Sequence, residues 1–206
     1  MSLLHDIFYI LFPPVCSVCG RMMGKGEKVM CTFCLLDMPR TDYHLLEDNP
    51  VEKLFWGRVP VAKAAGYFFY TKGSSYQRLI HKLKYKSRTE IGEFLGEMYG
   101  NELVETDMFN ADFIIPVPLH PMKERLRGYN QSEFIAQGIA SIFDTPVITD
   151  VLIRKKNTSS QTRKSRFDRS MNMEGMFAVK DKSKIEDCSI LLVDDVVTTG
   201  STLEAC

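Results

Sequence analysis

With 206 residues, 45% of them hydrophobic and 25% charged, the chain has room for one substantial domain and a small accessory module, and its composition excludes disordered and fibrous classes. Lys and Arg together number 26, as do Asp and Glu, so the net charge of zero excludes a uniformly basic or acidic chain. It hides a local imbalance: residues 72–88 hold six Lys/Arg and no acid, and residues 154–169 hold seven against Asp168 alone.

The chain opens "MSLLHDIFYILFPPVC". No positively charged segment precedes the apolar run, and Pro13-Pro14 ends it too early to span a bilayer, so the expectation is a short amphipathic helix in a cytoplasmic protein without membrane insertion. Cys16, Cys19, Cys31 and Cys34 follow as C-x2-C-x11-C-x2-C, two close pairs that can bite one metal ion. Tetrahedral thiolate coordination of structural Zn²⁺ is expected, because a unit this small cannot bury a core of its own. Disulfides and a rubredoxin-type iron site are the competing readings. The short spacer predicts a tight knuckle. Cys188 and Cys206 belong to no motif.

Residues 1–40 read as the N-terminal helix and four-Cys module, 41–58 as a proline-bounded linker with an apolar anchor at 54–56, and 59–206 as the main domain. In that domain "AAGYFFY" predicts a strand. "SYQRLIHKLKYKS" predicts a helix carrying Leu79, Ile80 and Leu83 inward, with Arg78, Lys82, Lys84 and Lys86 around them. A helix over 90–105 has acids at Glu90, Glu93, Glu97, Glu102 and Glu105, read as a solvated face. A strand in "DFIIPVPL", a helix over 131–143, and strands at 146–153, 175–179 and 189–193 complete the count. Strands alternating with helices predict an α/β fold with a mainly parallel sheet. The basic stretch "RKKNTSSQTRKSRFDRSMN" packs no element by itself, and reads as either a solvated loop or a lid.

The last strand leads into "DDVVTTGSTLEAC". Ile190 to Val193 reads as a strand covered on both faces, with Asp194 and Asp195 at its carboxyl end, where open α/β sheets bind ligands. Carboxylates suit ribose hydroxyls. The small residues and hydroxyls of 196–202 let N–H groups converge on a phosphate, with Ser201 and Thr202 as expected helix caps. A receiver domain also has such acids, but its strand begins the domain, whereas here it comes near the end. A plain strand-turn-helix junction is the bland alternative, and no Walker A pattern is present.

"ILLVDDVVTTGST" resembles the ribosyl-phosphate loop of type I phosphoribosyltransferases. Taken in order with the Cys module, "PVPLHPMKERLRGYNQSE" and "QTRKSRFDRSMNMEGMF", it resembles the ComF family, linked to natural competence. The resemblance implies a type I phosphoribosyltransferase-like α/β fold: a mainly parallel sheet flanked by helices beside a small zinc-ribbon-like module. It implies that Asp194 and Asp195, the catalytic candidates, contact the ribose of phosphoribosyl pyrophosphate, and that Thr198, Thr199, Gly200, Ser201 and Thr202 hold its 5′-phosphate. Arg125, Arg127, Gly128, Tyr129, Asn130 and Gln131 would lie at the pyrophosphate side. Gln161, Arg166, Arg169 and Asn172 match the lid, and Mg²⁺ would bridge the donor's oxygens. Arg163-Lys164 depart from the family's small and apolar residues. Further strand and helix after Thr202, a unit of roughly 30 residues, would be expected, so the C-terminal end of the core reads as truncated.

Under this resemblance three functions stay open: phosphoribosyl transfer, a DNA- or nucleotide-binding module without turnover, and a scaffold for a competence helicase in DNA uptake. No pattern identifies an acceptor or a general base. The basic segments, with Tyr76, Tyr85 and Phe167 as stacking neighbours, make single-stranded DNA a candidate partner.

Overall fold

In a computed structural model that describes residues 13–106, 110–155 and 175–206, the apolar runs of the two central strands pair in parallel. β1 (Phe113–Pro116) lies beside β4 (Ile190–Val193) in the register Phe113↔Ile190 to Pro116↔Val193. A parallel bridge from Val147 to Ile114 continues the layer on the other side of β1. The predicted N-terminal helix and the lid residues Gln161, Arg163, Lys164, Arg166, Phe167, Arg169 and Asn172 lie outside the described residues.

The strand alternation sends Ile114, Leu191 and Val193 to one face and Ile115, Ile190 and Leu192 to the other, and each face has its own apolar cluster. Both faces of β4 are therefore covered, although only its Val193 is buried. Among the described residues β4 has a strand partner on one edge only, which leaves Ile190 to Leu192 partly open.

The single strand expected at 146–153 is two pieces. Val147 joins the parallel layer, and β2 (Leu152–Arg154) turns away to pair antiparallel with β3 (Phe177–Val179). That pairing holds the two ends of the basic segment together, with Lys155 N–H on the Met176 carbonyl at 2.7 Å. "AAGYFFY" forms no strand either; it contributes one bridge, Arg40↔Phe68, and Tyr67 turns inward to stack on Tyr99 at 4.8 Å while Phe69 and Tyr70 stay exposed. Glu102, expected on a solvated face, is paired with Arg40 at 3.1 Å.

Helix α1 (Thr32–Leu36) closes the cysteine module. Helices α2 (Gln77–Tyr85), α3 (Glu90–Leu103), α4 (Pro121–Arg127), α5 (Gln131–Phe143) and α6 (Ser201–Ala205) belong to the main domain. α2 buries Leu79, Ile80 and Leu83 as its periodicity predicts, and its core partners include Val18, Val29 and Met30 of the cysteine module. The small module thus shares one core with α2 and α3.

The packing of α3 on α5 depends on glycine. Gly92, Gly96 and Gly100 recur every fourth residue, one stripe on α3, and Gly138 faces them from α5. A Cβ on Gly96 would lie 2.9 Å from the Gly138 Cα and would run into the Ile135 carbonyl; one on Gly138 would reach the Glu97 nitrogen at 2.8 Å and the Glu93 carbonyl. Backbone cannot yield as a side-chain tip can. Gly96→Ala or Gly138→Ala should therefore destabilise the protein by about 3 kcal/mol, the upper range of overpacking costs. Denaturant midpoints unchanged in both variants would refute the close approach.

Candidate functional site

Two sites are built from separate parts of the chain. In the first, the Sγ atoms of Cys16, Cys19, Cys31 and Cys34 all lie within 4.8 Å of one another. Cys19 and Cys31 are 3.8 Å apart, matching the edge of a tetrahedron with metal–sulfur bonds of about 2.3 Å. All four are free thiols rather than disulfides. The Glu27 carboxylate closes the knuckle by accepting from the Gly24 N–H at 2.7 Å and from the Thr32 N–H and hydroxyl at 2.6 and 2.7 Å.

Burial pushes the Cys16 thiol up, but the backbone N–H groups of Cys19, Cys31 and Val18 outweigh it and bring Cys16 down to about 6. Burial, followed by the neighbouring thiols, holds Cys34 well above the ordinary thiol range. Four thiolates at this spacing are compatible only around a cation, so the donor set fits a bound metal ion.

The second site is the carboxyl end of β4. Asp194 accepts from the Asp195 N–H at 2.8 Å and from the Ser132 hydroxyl at 3.3 Å, and Ser132 sits in the first turn of α5. Asp195 is met by the Lys84 ammonium of α2, 2.9 Å from each of its oxygens. Burial first, and the Asp195 charge second, push Asp194 up to about 6, against the opposing pull of the Asp195 N–H, Ser132 and Lys84.

The loop beyond the acids is hydroxyl-rich and open. Thr198 and Thr199 are exposed, and the Thr199 and Ser201 hydroxyls are 3.0 Å apart. The cap of α6 is Gly200 rather than Ser201 or Thr202, because the turn needs φ of +74° and Phe55 fills the space where a Cβ would point, 3.0 Å away. Phe55 is the apolar anchor expected at 54–56. Next to it Arg58 donates to the Thr199 carbonyl at 3.1 Å and pairs with Glu204, bracing the loop from outside.

The "RGYN" stretch reaches the same place. Asn130 caps α5 by accepting from the Ser132 N–H at 3.2 Å, and donates to the Val117 carbonyl at 3.0 Å. Gln131 is fully buried and accepts from Arg127 at 2.5 Å. The Tyr129 hydroxyl donates to the Leu83 carbonyl of α2, the Arg127 guanidinium lies 5.1 Å from the Tyr85 ring centre, and Arg125 is exposed on α4. Sequence reasoning missed Ser132, Arg58 and the role of Lys84. Ser132 directly follows Gln131, the last residue assigned to the motif.

The basic face expected on α2 divides. Arg78, Lys82 and Lys86, spaced four apart, line a cleft of about 590 Å³ together with His81 and Arg88. Lys84 is on the other side and has an acid partner, contrary to the expectation of uncompensated charge. Tyr76 does not face solvent either; it is buried and its hydroxyl donates to the Cys34 carbonyl at 2.8 Å. Tyr85 is exposed.

The phosphoribosyl transferase domain family matches residues 130–206. DNA utilization protein YhgH of Escherichia coli K12 is 30% identical over 195 residues, 92% of this chain and 80% of that one. Competence protein ComFC of Bacillus subtilis 168 is 25% identical over 190 residues, 92% and 68%. Competence protein F of Haemophilus influenzae is 38% identical over 91 residues, 44% and 40%. No helix among the described residues is long and apolar enough to cross a membrane.

The raised Asp194 makes a test by linkage. A carboxyl that holds its proton more tightly when folded contributes most below its ordinary value of 3.8, and that contribution is lost as pH rises through about 6. The surrounding titratable groups are Asp195, Lys84 and the Cys206 thiol, which burial and then the Asp194 charge hold up to about 12. Asp194→Asn should stabilise the ligand-free protein at pH 7.5 by about 2 kcal/mol, with the gap closing by pH 4. A pH-independent difference in urea midpoints would contradict the buried charge.

Proposed function

The chain belongs to the ComF family, and on that premise we propose that it binds phosphoribosyl pyrophosphate at the carboxyl end of β4 and acts in DNA uptake. One observation carries the donor reading: two adjacent carboxylates, one buried on Ser132 and one on Lys84, open into a hydroxyl-rich loop at the end of a central parallel strand. Asp194 and Asp195 accept the ribose hydroxyls. Thr198, Thr199, Ser201, Thr202 and the Gly200 amide hold the 5′-phosphate. Arg125 and Arg127 face the pyrophosphate, while Tyr129, Asn130 and Gln131 shape that side; Gln161, Arg166, Arg169 and Asn172, outside the described residues, are assigned to the donor by the family's lid motif alone.

In transfer, an acceptor lone pair forms a bond to the anomeric carbon as the bond from that carbon to pyrophosphate oxygen breaks, with inversion. Charge grows on the leaving group, which is where cationic side chains stabilise the transition state. Mg²⁺ bound with the donor would neutralise part of that charge. The all-sulfur cysteine set suits Zn²⁺ in a structural role. The division of the chain we propose assigns 1–40 to the cysteine module, 41–58 to a connecting segment and 59–206 to a phosphoribosyltransferase-like domain, acting in the cytoplasm. A competence helicase is the partner class for the uptake role.

Donor titration by calorimetry tests the reading. Asp194→Asn and Asp195→Asn should each weaken phosphoribosyl pyrophosphate binding by about 1.5–3 kcal/mol, the scale of hydrogen bonds to charged groups. Unchanged affinity in both variants removes the assignment, and donor consumption offered with a panel of bases and DNA separates an enzyme from a binding module.

A second reading, single-stranded DNA along the α2 cleft, is supported by Arg78, Lys82, Lys86 and Arg88 converging there beside the exposed Tyr85. Binding should fall with salt at a log–log slope of about −0.7 per phosphate contact, and Lys82→Ala or Lys86→Ala should each reduce that slope by one such step. Absence of binding at low salt would eliminate this surface.

A further inference from the structure

We propose that Lys84 is a positioning residue of the donor site, holding the Asp195 carboxylate aimed at the ribose from a different part of the chain. This rests on the donor reading above. Lys84 differs from the other cations of its helix in where it points. Arg78, Lys82 and Lys86 form one ridge along the cleft, whereas Lys84 stands four residues from the buried Ile80 and next to the fully buried Leu83. The Lys84 and Asp195 side chains are only 22% and 12% exposed, so solvent and salt screen their attraction weakly.

The ion pair is placed rather than incidental, because α2 is held at both ends. At its start Tyr76 donates to the Cys34 carbonyl at 2.8 Å and Arg78 to the Val18 carbonyl at 3.1 Å, both in the cysteine module. At its end Tyr129 donates to the Leu83 carbonyl, one residue from Lys84. The ammonium takes one lone-pair direction from each Asp195 oxygen, and a carboxylate offers about four, so room remains for hydroxyl donors. Its charge also offsets the repulsion between two neighbouring carboxylates.

The experiment is calorimetric titration of phosphoribosyl pyrophosphate with Mg²⁺ into the full chain and its variants. Lys84→Met should weaken binding about tenfold, and Lys84→Arg, which keeps the charge, should recover most of the loss. Adding Lys84→Met to Asp195→Asn should cost less than about twofold more, since the two act as one unit. Thermal midpoints and metal content equal to wild type exclude a folding defect, and Lys84→Gln serves if the Met variant is unstable. Wild-type affinity in Lys84→Met, losses that multiply in the double variant, or tighter binding by Lys84→Met would each overturn the proposal while leaving the donor reading intact. No donor binding by wild type would overturn both.

Discussion

Backbone meets backbone where α3 crosses α5, and the rest of the arrangement follows from that approach. With Gly96 against Gly138, the two helices lie closer than side chains would permit, so α5 can rest on the sheet through Ala136 and Ile139 while α3 lies directly over it. The first turn of α5 is thereby set beside β4, which brings Ser132 to Asp194 and lets Asn130 reach the Val117 carbonyl. The other end of this stack, Ile91 and Leu95 on α3, supports α2 and through it the cysteine module. A methyl group at either glycine would separate layers whose spacing the site depends on.

Within that frame the electrostatics of the site are asymmetric. Asp194 has hydrogen bonds but little solvent, and Asp195 has a cation. Burying a carboxylate costs free energy unless its lone pairs are met, and one hydroxyl and one N–H meet Asp194 only in part. A ligand that supplies hydroxyl donors would complete both acids together. The fold thus carries an unfavourable term in the ligand-free state that ligand binding is suited to relieve, in keeping with the tendency of perturbed carboxylates to cluster at functional sites.

Much of this was legible in the chain. The Cys spacing, the apolar strands at 113–116 and 190–193, the 131–143 helix and the adjacent acids depend on local patterns, and local patterns are what a sequence displays. Other features depend on what lies across the fold. Lys84 reads like Lys82 and Lys86 until the position of β4 is known, since all three flank the same apolar stripe. "AAGYFFY" has strand composition, but its backbone bonds to residues 39–41 instead of the sheet, the Thr41 N–H on the Tyr67 carbonyl and the Phe69 N–H on the Pro39 carbonyl, a pairing that only the folded chain reveals. The segment read as a linker is ordered by the buried Asn49, which accepts from the Val51 and Glu52 N–H groups and donates to the Ala64 carbonyl. The Gly92-Gly96-Gly100 spacing was visible, but its meaning required a partner helix with a glycine at the crossing.

The placement of α2 gives the cysteine module a role beyond its own folding. A unit of about two dozen residues cannot bury enough apolar surface alone, and here it buries Val18, Val29 and Met30 against Leu79, Ile80 and Leu83. A metal ion held by the four cysteines would also fix the Val18 and Cys34 carbonyls, and these are the groups that receive Arg78 and Tyr76. The orientation of α2, and so the point from which Lys84 reaches Asp195, is set in part by the geometry of the thiolate cluster. The two sites, far apart in sequence, are mechanically joined through nine residues of helix.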